Sequence, residues 1–160
     1  MTHSFGEITI EELKPQRVVC ARVISAQPED DSISLVQNWL AQHGLSVEGR
    51  RSFGFDSMVS PAESEVGLRG YEIGYVVPEE TKADDGVQIR TYGGGMYAVM
   101  RVNNAFEAPF ESIPAGWQHL MGWLESSPEW MPRCYTCYEE VVAGKEGNDL
   151  ILYEAIQKRK

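Results

Sequence analysis

A string of six residues, Val18-Val19-Cys20-Ala21-Arg22-Val23, returns as Tyr97-Ala98-Val99-Met100-Arg101-Val102. Three further pairs follow in the same order at a near-constant offset of roughly 80 residues. Trp39-Leu40 matches Trp123-Leu124, Phe53 and Phe55 match Thr136 and Tyr138, and Tyr71-Glu72 matches Tyr153-Glu154. An ordered repeat of this length constrains the fold strongly. Neither copy can bury a sheet face alone, so the copies are expected to pair about a pseudo-two-fold axis with helices covering the sheets.

The residue patterns predict strand–helix–strand–strand in each copy. Ile8, Ile10 and Leu13 alternate with polar residues, and the β-branched run Val18–Ile24 predicts a buried strand. Ile33, Val36, Trp39 and Leu40 recur at helical spacing after an N-cap among Asp30, Asp31 and Ser32, and Gly44 suits the C′ position. Phe53–Phe55 and Tyr71–Val77 predict two strands joined by the polar connection 57–67. The polar segment 79–86 links the copies. Strands are then expected over 87–91 and 96–102, turned by Gly93-Gly94-Gly95. A helix is predicted over 109–127 with Pro114 in its first turn, followed by strands over 135–142 and 150–156. The expected architecture is α+β. It is one domain over residues 1–160, built from halves at about 7–78 and 86–157, with an antiparallel sheet covered by two main helices.

Charge narrows the function. The chain carries 14 Lys and Arg against 24 Asp and Glu, a net charge of −10. Such a surface repels phosphate backbones and anionic lipid, and no basic stripe offsets it. Direct nucleic-acid and membrane binding are therefore not expected. Three cysteines, an odd number, fit a reducing cytoplasm better than a disulfide framework. The first residues show no targeting segment and leave no room for a helix-turn-helix before the first strand.

The segments Gly86-Val87 and Gly93–Val99 resemble the "GV…GGxYAV" motif of the GyrI-like family. That family includes the DNA gyrase inhibitory protein and the effector domains of AraC-type regulators. Residues 106–127 resemble its central helix, Met131–Tyr138 its "LPxPCFExY" strand, and Leu152–Ile156 its closing strand. Phe55-Asp56 and Tyr71–Pro78 resemble its "YYDNP" and "RYDxxVxVP" elements more loosely. The resemblance implies an axial pocket for hydrophobic, often cationic, aromatic compounds. The family's pocket glutamate falls at Thr136.

Strand alternation puts Phe53 and Phe55 on one face, and Thr136, Tyr138 and Glu140 on one face. If the halves pair about an axis, these aromatics converge on one cleft, where rings stack on flat ligands and attract cations. Tyr71, Tyr97 and Trp117 are expected to line it, whereas Trp39 and Trp123 are read as core. Glu140 is either an acid of this cleft or a solvated strand end. Glu72 is either a cation counter-charge or a solvent-facing strand residue. Cys134-x-x-Cys137 lies in a predicted strand, whose alternation sends the two thiols to opposite faces and suits neither metal nor redox chemistry. His3, His43 and His119 have no ligand spacing, so neither a metal nor a cofactor is expected.

The expected function is a stand-alone protein that senses or sequesters a hydrophobic or cationic small molecule. A second class is a hydrolase of strained or activated small molecules, with Glu140 or Glu72 activating water. The resemblance also implies a protein partner such as DNA gyrase as a third.

Overall fold

The computed structural model describes residues 4–160. In chain order the elements are β1 (Thr9–Glu12), β2 (Gln16–Ser25), α1 (Pro28–Gln42), β3 (Ser52–Ser57), α2 (Pro61–Glu65), β4 (Arg69–Val76), β5 (Gln88–Tyr92), β6 (Met96–Val102), α3 (Pro109–Ser126), β7 (Trp130–Ala143) and β8 (Asn148–Lys158). The chain divides into two compact units. One is Pro15–Tyr92, and the other joins the described residues up to Lys14 to Gly93–Lys160.

In the contiguous unit the strands run antiparallel in the order β3-β4-β2-β5. Helix α1 opens on Pro28, where a missing N–H costs nothing, and Glu29, Asp30 and Asp31 oppose the positive end of its dipole. It therefore starts ahead of the expected caps, with no side-chain cap on Gln27. Gly44 takes φ +71°, as its C′ role requires. Val36, Trp39 and Leu40 of α1 pack on Val19, Ala21, Ile73, Tyr75, Val77 and Val87. Tyr71 joins this core, and Gly54 makes room for it, since a Cβ there would strike the Tyr71 hydroxyl. The connection expected to be irregular holds α2, a single turn with a capping box between Ser60 and Glu63.

The second unit has the strand order β7-β8-β6-β1, also antiparallel. Leu120 and Leu124 of α3 cover Ala98, Met100, Val102, Leu150, Leu152 and Ile156. Because α3 begins at Pro109, Pro114 lies inside the helix and not in its first turn. Trp123 is 37% exposed, in contrast to Trp39, so only one of the two matched tryptophans is core. β1 pairs with β6, and β5 pairs with β2. Each edge strand thus joins a strand of the copy to which the sequence did not assign it.

Ladder register changes which residues correspond. Phe53 faces Gly74, which faces Cys20; Tyr138 faces Tyr153, which faces Val99. Cys20 and Val99 are matched in the repeat, so by ladder position Phe53 corresponds to Tyr138 and Phe55 to Glu140. The sequence match is two residues out of step. β7 itself is irregular. Pro132 faces Ile156 and Cys137 faces Glu154, so residues 133–136 together stand against Ala155 alone. Cys134 and Tyr135 take φ +57° and +50°, which lifts the chain out of the ladder.

Candidate functional site

Each unit carries an aromatic cluster with a buried carboxylate on the sheet face away from its long helix. In the second unit, β6 alternation sends Ala98 and Met100 toward α3 and Tyr97 the other way. Ladder neighbours place Tyr138 and Tyr153 on the same side. The Tyr97 ring lies 6.0 Å from Tyr138 and 6.3 Å, edge-on, from Tyr153. The Tyr153 hydroxyl donates to Glu140 at 2.6 Å, and Glu140 is 5% exposed. The Tyr138 hydroxyl accepts from the Gly93 amide at 3.1 Å. Arg133 donates to the Gly94 carbonyl and stands 6.0 Å from the Tyr97 ring centre. Burial, and then the neighbouring Tyr138, push the Tyr97 hydroxyl up to about 12, so it stays protonated.

In the contiguous unit the Tyr92 hydroxyl donates to Glu72 at 2.5 Å. Tyr92 stands on β5 and Glu72 on β4, so the ring must cross β2 to reach it. Gly74 permits this, because a Cβ there would meet the Tyr92 ring. Phe55 packs edge-on against Tyr92 at 5.7 Å, and Phe53 is fully buried under the Arg51 guanidinium at 4.9 Å. Cys20 is held up at about 11 by burial and then by the Glu72 charge. Tyr92 is also raised, by burial first and the Glu72 hydrogen bond second. An open depression of about 640 Å³ is lined by Glu72, Cys20, Arg22, Gln88 and Arg90. A depression of about 690 Å³ in the other unit includes Arg101, Asn103, Lys145 and Asp149 in its lining, and none of the tyrosines.

The expected site residues fall in different places. Tyr138 and Glu140 share one face, as alternation predicts, and Tyr97 of β6 lies on the same side. Thr136 does not join them, because it lies in the β7 irregularity, with its hydroxyl 3.5 Å from the Cys134 carbonyl. Tyr71 sits on the helix-covered face, opposite to Phe53 and Phe55. Trp117 packs at the margin of the α3 core, and its indole donates to Glu139 at 2.9 Å. Neither Tyr71 nor Trp117 therefore faces the carboxylate of its unit. Glu72 and Glu140 are each 5% exposed and hydrogen-bonded, so neither is a solvated strand residue. Tyr92 and Tyr153 are site residues that sequence reasoning missed. Tyr153 stood in the repeat, but the mismatched register paired it with the core residue Tyr71. Tyr92 had no local signal, since it meets Glu72 across an intervening strand.

Among the described residues no three His, Cys, Asp or Glu side chains gather to hold a metal. His3 lies outside the described residues, and His119 packs 5.0 Å from the Phe5 ring. Among the described residues no helix is long and apolar enough to cross a membrane.

The sequence matches, over residues 6–151, a family model described as GyrI-like small molecule binding domain. The fold is similar to that of EcmrR, solved by cryo-electron microscopy as an EcmrR–DNA complex, with a TM-score of 0.73 at 12% identity. That match covers 97% of this chain and 58% of the other, so this chain spans little more than half of that relative's length. An integron cassette protein from the mobile metagenome of Vibrio cholerae is similar with a TM-score of 0.56 at 11% identity, over 98% of this chain and 100% of that one. At such identities the likeness is one of fold alone. No curated protein matches the sequence.

Proposed function

Because the chain belongs to the GyrI-like small molecule binding domain family, we propose that it binds a flat, hydrophobic, cationic small molecule, which it senses or sequesters. One observation carries this reading. Tyr97, Tyr138 and Tyr153 form a ring cluster on one sheet face, and the Tyr153 hydroxyl holds the buried carboxylate Glu140 at its edge. Ring faces attract a cation by about 0.5–2 kcal/mol, and a desolvated carboxylate favours an organic cation over a neutral analogue. Thr136 stands where the resemblance puts the family's glutamate, and in this reading Glu140 supplies the negative charge. The Glu72, Tyr92 and Phe55 cluster repeats the same chemistry in the contiguous unit. The proposed setting is the cytoplasm, as one small-molecule-binding domain without direct contact to nucleic acid. The net charge of −10 supports that reading.

The test is a panel of cationic aromatic dyes with neutral analogues of matched size, read by thermal shift and fluorescence titration. A cationic dye at a hundredfold excess over its Kd stabilises by about 2.7 kcal/mol, a melting shift of roughly 5–10 °C. Glu140→Gln weakens cationic dyes about tenfold, worth ~1.4 kcal/mol, and leaves neutral analogues unchanged. If no dye raises the melting temperature, or if both dye classes weaken equally, the reading fails.

A further inference from the structure

Strand alternation would keep Cys134 and Cys137 apart, but the structure removes that alternation. Pro132 and Cys137 occupy ladder positions facing Ile156 and Glu154. Their Cα atoms are therefore separated by about two strand steps, roughly 6.6 Å, although five residue steps join them. Residues 133–136 close a tight loop over that span, turned by the consecutive left-handed Cys134 and Tyr135. Cys134 is exposed and stands in this loop, and Cys137 is half-buried at its base. A disulfide needs Cα atoms about 4.4–6.8 Å apart; an extended strand holds residues three apart at roughly 10 Å, and the turn through Cys134 and Tyr135 shortens that span.

We propose that Cys134 and Cys137 form a reversible intramolecular disulfide, making the β7 loop a redox-modification site. This inference goes beyond ligand binding and does not depend on it. With hydrogen peroxide as oxidant, the Cys134 thiolate attacks one peroxide oxygen, the O–O bond breaks, and a sulfenic acid and hydroxide result. The Cys137 sulfur then attacks the Cys134 sulfur. The S–O bond breaks, the departing hydroxide takes the Cys137 thiol proton as water, and the proton lost from Cys134 turns the first hydroxide into the second water. Two thiols lose two electrons in all, and one peroxide becomes two waters. A small dithiol reverses the step. The loop lies between Arg133, which holds the Gly94 carbonyl, and Tyr138, which holds the Gly93 amide. Its closure would therefore restrain both supports of the glycine turn. Cys20 is 2% exposed and serves as the internal control.

The experiment treats the full chain with stoichiometric peroxide, alkylates the remaining thiols, and maps peptides by mass spectrometry. The expected result is a monomer whose 134–137 peptide has lost two hydrogens and resists alkylation, with Cys20 still alkylatable after unfolding. Dithiothreitol restores both thiols. Cys134→Ser and Cys137→Ser each abolish the linkage, and the wild-type map stands by itself if either variant folds poorly. A sulfinic acid on Cys134, a disulfide between two chains, or two thiols still alkylatable at equilibrium would each overturn the proposal.

Discussion

Glu154 shows how one residue sets a dependence on pH. It stands on β8 facing Ala98 and Cys137, on the side α3 covers, and is 5% exposed. Burial raises its carboxyl to about 7. The folded chain then holds a proton that the unfolded chain, with an ordinary value near 4.3, gives up. Stability falls as pH rises from about 4 through about 7. Glu154→Gln is therefore expected to be near neutral around pH 5 and stabilising by on the order of 2–3 kcal/mol around pH 8. Urea unfolding at both values checks this, and an equal effect at both would refute it. His43 adds a slope of the same sign. It is raised by its hydrogen bond to the Trp39 carbonyl and then by Asp84. Its contribution is present below about 6.5 and lost as pH climbs through the raised value. The slope that survives in Glu154→Gln is expected to shrink further in Glu154→Gln/His43→Gln, leaving the part set by Asp56, whose carboxyl burial also raises. Asp84 is lowered, first by the Trp39 indole and then by His43, so its contribution is lost only at acid pH.

At the scale of an element, β7 is the strand that departs from its own pattern. Consecutive non-glycine residues at positive φ each cost about 1–2 kcal/mol, and Tyr135 at 91% exposure has little packing to offset that. Tyr135→Gly is expected to raise stability by about 1 kcal/mol, read as a higher denaturant midpoint at unchanged slope. A loss of stability would mean that the Tyr135 side chain holds the loop. Past the loop, alternation resumes, and Tyr138 and Glu140 share the face that period-two reading assigned them. Thr136 and the two cysteines, which that reading extrapolated across the loop, do not follow it. Helix α3 gives the converse case. Leu120 and Leu124 bury its inner face, whereas Trp123, expected in the core from its repeat match to Trp39, is largely turned outward.

At the scale of the molecule, the two units differ in how the chain closes them. Pro15–Tyr92 is continuous, whereas the other unit needs β1 from before it and β6–β8 from after it. Removing residues 1–14 takes away the β1 ladder and the packing of Ile8 and Ile10 on the α3 core. Alternate amides of β6, those that face β1, are then expected to exchange faster, while the intervening ones paired with β8 keep their protection. Unchanged exchange along β6 would overturn this. The sequence by itself determined the α+β class, the long helices, most strands, and the family resemblance that the match over residues 6–151 bears out. Those signals are local, written in spacings of two, three and four residues, or in short motifs. It also put Tyr138 and Glu140 on one face of their strand, because both lie in a regular stretch of it, and left open whether Glu140 meets solvent. Only the tertiary structure decided that Tyr71 and Trp117 turn to the helix-covered faces, that Tyr92 reaches Glu72 across β2, and that Thr136 stands in a loop. Register is set by the partner strand, and a single irregularity moves every later residue against it. The pairing of edge strands β1 and β5 was hidden for the same reason: a ladder partner lies far away in sequence, and no residue nearby records it.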